Sequence, residues 1–145
     1  MTKVLLSLHV LVAILAVGPV AVAASMFPPA VRAGDEHKLR LLHRICRVYA
    51  GIGIAVPVFG FATASFMGVL GDTWLLVSIA LTAVAAAVLV LQVLPGQEKL
   101  LAVAPEGTTL TRVSTRLAMF TGVFNLLWAT VTVLMIVRPG STTGA

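Results

Sequence analysis

Four apolar runs without a formal charge divide the chain: Val4–Met26, Val48–Leu70, Thr73–Leu94 and Leu117–Val137. A helix rises about 1.5 Å per residue, so roughly 20 such residues cross the about 30 Å of bilayer hydrocarbon. Unpaired backbone groups are costly in lipid, which predicts helix throughout each run. The expected fold class is therefore all-α: a polytopic membrane protein, one domain over residues 1–145, built as a bundle of four transmembrane helices. The first run also reads as a secretory leader, with Lys3 ahead of it and Ala21-Val22-Ala23 as a small-residue cleavage site. Its length exceeds the usual leader core of about 7–15 residues, which favours a retained span.

The segments between the runs supply the punctuation. Phe27-Pro28-Pro29 predicts the end of the first helix, because proline cannot continue the backbone ladder. Residues 36–47 follow, with Leu39, Leu42, Ile45 and Cys46 at helical spacing on one face and charges on the other. That pattern predicts a basic amphipathic helix at the membrane surface, with Lys38, Arg40, Arg44 and Arg47 toward lipid headgroups. A partner-docking helix is the alternative. Pro57 predicts a kink in the second span. Gly71 suits the position just past that helix, and Asp72 the cap of the next. Spans two and three then form a tight antiparallel hairpin. Pro95-Gly96 predicts the end of the third span, followed by a loop over 97–111, with Thr109 or Thr111 capping the fourth helix. The polar tail, residues 139–145, is expected to be disordered.

Composition agrees with lipid as the solvent: 59% of the 145 residues are hydrophobic and 10% charged, against roughly 25% charged in soluble domains. The net charge of +5 does not point to nucleic acid, because the basic residues collect in two loops. Arg32, Lys38, Arg40, Arg44, Arg47, Lys99, Arg112 and Arg116 follow spans one and three. Lys3 and Arg138 alone lie on the other side. The positive-inside rule then puts both termini on the extracytoplasmic face. Cys46 is the single cysteine, so no internal disulfide and no cysteine metal cluster is expected.

Few residues inside the spans can do chemistry. His9 is the one ionisable group well within a span, and such groups are functional candidates by default. Antiparallel counting places Ser65, Met67, Ser78, Thr132 and Met135 near its depth. His9 with Met67 or Met135 would form a His/Met haem pair, or the three a copper site; a neutral, hydrogen-bonded imidazole is the structural alternative. Gly60, Ala64 and Gly68 recur every fourth residue and would let a neighbouring helix approach closely. Thr121, Asn125, Trp128 and Thr132 make one polar-capable stripe on the fourth span. It reads as interhelical glue or as the lining of a transport path. No Asp or Glu lies inside a span, which argues against proton-coupled transport, and soluble-enzyme motifs are absent.

The run Lys3…Leu8-His9-Val10-Leu11…Gly18-Pro19, opening a four-span chain, resembles an uncharacterised bacterial family of predicted integral membrane proteins. It is distantly similar to the copper-resistance D and membrane protoporphyrinogen-oxidase group, which shares a Lys…Leu-His helix start. That resemblance implies the bacterial inner membrane and, in the oxidase group, haem binding with His9 important. Where that group carries a further histidine, this chain reads Met26-Phe27-Pro28. The leading expectation is a non-enzymatic accessory or structural subunit, without cofactor or resident metal. Its partners would be the lipid bilayer and a second copy of itself or other membrane subunits. A haem- or metal-linked redox protein using His9 and a small transporter lined by the Asn125 face are the alternatives.

Overall fold

The computed structural model describes residues 2–102 and 107–140. They form α1 (Thr2–Ala33), α2 (Glu36–Ile52), α3 (Ala55–Met67), α4 (Thr73–Val88), α5 (Leu94–Ala102) and α6 (Gly107–Val137). A five-residue π-helical turn, Leu89–Val93, joins α4 to α5. Among the described residues there is no strand. The pieces assemble into four rods: α1, α2–α3, α4–π–α5 and α6. Each rod contains a stretch long and apolar enough to span a membrane.

The rods are longer than the apolar runs. α1 does not stop at Phe27-Pro28-Pro29 but continues to Ala33. A proline's fixed φ is itself helical, and its cost is the backbone bond it cannot make and the crowding of the preceding turn. Here Phe27, Pro28 and Ala30 are buried, and packing of this last part of α1 against α2 holds the helix through both prolines. Gly34, at φ +67°, then turns the chain. Asp35 caps α2 by accepting from the Lys38 backbone N–H at 3.1 Å.

The expected stop at Pro95-Gly96 is also absent. The Leu94 N–H bonds to the Leu89 carbonyl, five residues back. This wider turn makes room for the Pro95 ring, which would otherwise press on the carbonyl four residues before it. The rod therefore runs on to Ala102, and Gln97 lies inside a helix rather than in a loop. Likewise α6 begins at Gly107, so neither Thr109 nor Thr111 stands at its cap position.

Pro57 acts where it was expected to, one turn ahead of itself. Its missing N–H leaves the Gly53 carbonyl to Val56, at 3.0 Å, and the helix breaks at Gly53-Ile54 between α2 and α3. At the far end, Gly68 rather than Gly71 occupies the left-handed position past α3, at φ +70°. Asp72 is at the N-cap position of α4, but its side chain makes no cap bond. It accepts from Trp74 Nε1 at 3.1 Å instead.

Two apolar clusters sit toward opposite ends of the bundle. The larger joins Val20, Ala24 and Phe27 of α1 with Leu39, Leu42 and Cys46 of α2, the π turn, and Leu117 and Phe124 of α6. The apolar face of α2 is thus packed against protein, on α1 and α5. The smaller cluster, Ala64, Val69, Trp74 and Leu75, draws in Met67, Ile79 and Met135. α3 and α4 meet there, but along their length α3 packs on α1 and α4 on α6. Of the expected tail, Pro139 and Gly140 form a turn after α6, and residues 141–145 lie outside the described residues.

Candidate functional site

His9 is 9% exposed and its Nδ1 donates to the Val56 carbonyl at 2.9 Å. A carbonyl can only accept, so this bond places a hydrogen on Nδ1. Gly60 makes the space for the ring: a β-carbon at 60 would lie 3.0 Å from His9 Cε1 and 3.3 Å from Nδ1. One member of the small-residue stripe therefore serves an imidazole rather than a neighbouring backbone. Ala64 is buried in the smaller cluster. Gly68 ends its helix, with open space where a side chain would be.

His9 thus lies level with Val56–Gly60. The register follows from the longer α1. With the turn at Gly34-Asp35, Val20 meets Cys46 and His9 meets Val56. Met67 and Met135 pack together around Trp74 and Leu75. Met67 is two helical turns, roughly 10 Å, from Gly60. His9 is not among the residues of that cluster. No group of three or more His, Cys, Asp or Glu is arranged to hold a metal among the described residues.

A polar chain that the sequence did not announce crosses the larger cluster. His43 is 8% exposed, and its Nδ1 donates to Gln97 Oε1 at 2.8 Å. Gln97, fully buried, donates through Nε2 to Cys46 Sγ at 3.5 Å. The thiol points back at the Val20 carbonyl, 4.0 Å away. His43 Nε2 faces Glu98 Oε1 at 3.8 Å, a charge pair when the ring is protonated. Helical spacing does place His43 beside Leu39, Leu42 and Cys46. Its partner is not apparent from the sequence, where Pro95-Gly96 predicts that Gln97 lies in a loop.

The α6 stripe is half satisfied. Asn125 Nδ2 donates to Ser25 Oγ at 3.0 Å, and that hydroxyl donates onward to the Ala21 carbonyl at 2.6 Å. Thr121 Oγ1, Asn125 Oδ1 and Trp128 Nε1 are buried without a partner. Thr132 is exposed and bonds its own Trp128 carbonyl at 2.8 Å. Asn125 therefore ties α6 to α1, as interhelical glue would, with an acceptor left over.

Of the four basic residues on α2, Arg40 pairs with Glu36 at 3.7 Å on an exposed face. Arg44 and Arg47 line an open cleft with His43 and Val48. Lys38 lines a different groove, between α1 and α6. At the opposite end, Arg138 lies over the Trp74 ring, 5.5 Å from its centroid. Its Nε donates to the Met135 carbonyl at 3.1 Å, so Asp72, Trp74 and Arg138 link the start of α4 to the end of α6.

No family model matches the chain, and searches of curated proteins and of solved structures likewise find no match.

Proposed function

We propose that this is a small multi-pass membrane protein that works as a non-enzymatic accessory or structural subunit, docking with a second copy or with a larger membrane complex. The membrane part of this reading is supported by how hydroxyls are handled. Ser7, Ser25, Thr63, Ser78, Thr82, Thr130 and Thr132 each donate to the carbonyl four residues back on their own helix. In water such groups would be free to bond solvent; in hydrocarbon the back-bond removes the cost of a bare hydroxyl. The bilayer is the bacterial inner membrane in this reading, with both termini extracytoplasmic and the basic loops inside.

The single observation that carries docking is a set of helical glycines with no neighbour. Gly18, Gly51 and Gly122 each lie within a helix, and a β-carbon on any of them would meet nothing within 4 Å. Glycine in a helix interior costs about 1 kcal/mol relative to alanine. Among the described residues nothing uses the notch each one leaves, whereas a helix from another subunit would, since close backbone approach lets helices associate in lipid. The test is native mass spectrometry after mild solubilisation, for the parent and for Gly18→Leu and Gly122→Leu. The reading expects a dimer or a co-purifying membrane protein that the filled notches weaken. A lone monomer with nothing attached would sink it.

A further inference from the structure

One apolar line on α4 is left open. Val77, Ala80, Val84 and Ala87 are all exposed and follow one another at steps of three, four and three. That is the spacing of a coiled-coil seam, in which every seventh residue returns to face a second helix. The line ends on an amide. Gln92 is eight residues after Val84, and the π turn holds one residue more than ordinary helix. Gln92 therefore takes the place that the seventh residue would hold. Val77, Val84 and Gln92 share one side of the rod, spread over roughly 20 Å.

Gln92 falls within the apolar run that ends at Leu94, and the first charge beyond it, Glu98, is six residues further on. Val90 and Leu91 beside it are exposed. Among the described residues its side chain makes no hydrogen bond, and both amide atoms keep some surface. In hydrocarbon a bare donor and a bare acceptor are both costly. Whatever covers this seam must bring one of each. A carboxamide accepts through its oxygen and donates through its nitrogen, so its complement is another carboxamide. Two copies inserted in the same direction are related by a two-fold axis along the bilayer normal. That axis holds each residue and its counterpart at equal depth, so Gln92 meets its own counterpart. A single amide in an apolar seam also fixes register and partner number.

We propose that the chain forms a parallel dimer through α4. Val77, Ala80, Val84 and Ala87 pack against the same line of a second copy, and the two Gln92 amides bond each other across the axis. This rests on the docking reading and deepens it. It names a second copy as one partner and gives that contact its own rod, separate from the notches at Gly18, Gly51 and Gly122 on the other three.

The test combines cross-linking of the full-length protein in cell membranes with dissociation on dilution in mild detergent, read by native mass spectrometry. In a Cys46→Ala background, Val84→Cys should give a covalent dimer with a short bis-maleimide. Leu126→Cys, exposed on α6, should give none. Gln92→Leu keeps the bulk and loses the amide, and should raise the dissociation constant about tenfold, the order of an interhelical polar pair. Gln92→Asn should keep part of the affinity. Val84→Cys retains the amide, so its cross-link reads the seam even if Gln92→Leu does not fold. The proposal falls if Val84→Cys gives no covalent dimer, or if the Gln92→Leu dimer is as tight as the parent's. A dimer weakened only by Gly18→Leu or Gly122→Leu would overturn this contact and leave the docking reading standing. So would another membrane protein that co-purifies without any dimer. A lone monomer would overturn both.

Discussion

His9 and Gly60 are fitted to each other across α1 and α3: the imidazole occupies the space that a β-carbon at 60 would need, 3.0 Å from Cε1. The obstacle is a ring held by its bond to the Val56 carbonyl, not the free end of a flexible chain. Gly60→Ala should therefore destabilise the fold by about 1–3 kcal/mol, the usual cost of overpacking, less the roughly 1 kcal/mol that alanine gains in a helix. The thermal midpoint in detergent should fall for Gly60→Ala and recover when His9→Ala is added. A Gly60→Ala variant as stable as the parent would show that the ring moves aside freely.

Gln97 has the opposite situation: it is fully buried, and both the oxygen and the nitrogen of its amide are bonded. Gln97→Leu strands the His43 Nδ1–H and takes away the donor that faces Cys46. A buried group left without its partner costs about 1–3 kcal/mol, whereas replacing both partners by apolar ones can be nearly neutral. Denaturation of Gln97→Leu should show that loss, and the double variant His43→Leu/Gln97→Leu should regain part of it. Additive losses would mean that the pair is not coupled.

These two sites show what the one-dimensional pattern could convey. Charge and apolar runs located four rods, because a spanning helix must bury its backbone bonds over a fixed length. The ends of the rods were not legible, because the prolines that punctuate them are outweighed by packing. Phe27, Pro28 and Ala30 are buried beneath α2, and a π turn accommodates Pro95. Each misplaced end had a consequence for the site. Stopping α1 early moved His9 out of its layer with Gly60 and toward Met67. Stopping the third rod at Pro95 put Gln97 in a loop and concealed the bond to His43. Asn125, within α6 and away from any such end, bonds Ser25 of α1.

The π turn at Leu89–Val93 offers a sharper test of the same point. Deleting Leu91 would return this segment to ordinary α-helical bonding and bring the Pro95 ring against the carbonyl four residues before it. That clash and the lost bond cost about 3 kcal/mol or more in a helix interior. The deletion alone should lower the thermal midpoint markedly. Deletion combined with Pro95→Ala should restore much of it, because a π bulge is one added residue and the flanking faces keep their register. If Pro95→Ala fails to rescue the deletion, the bulge serves the packing of Leu89 and Val93 rather than the proline.

The proposed orientation is open to a direct measurement. Gly71 lies in the turn between α3 and α4, with nothing within 4 Å of a β-carbon placed there. Lys99, near the end of α5, is exposed and belongs to the basic side. In a Cys46→Ala background, which removes the single native thiol, Gly71→Cys should react in intact cells with a membrane-impermeant maleimide. Lys99→Cys should react only after the membrane is opened. The eight basic residues at one end resist translocation, while Lys3 and Arg138 are too few to hold their end inside. The reverse labelling pattern would invert the molecule and place Asp72, Trp74 and Arg138 on the cytoplasmic side. It would also put Lys38 and the mouth of the α1–α6 groove toward the outer leaflet. Labelling of both cysteines in intact cells would mean that the chain does not span the bilayer as four rods, and the explanation of the back-bonded hydroxyls would fall with it.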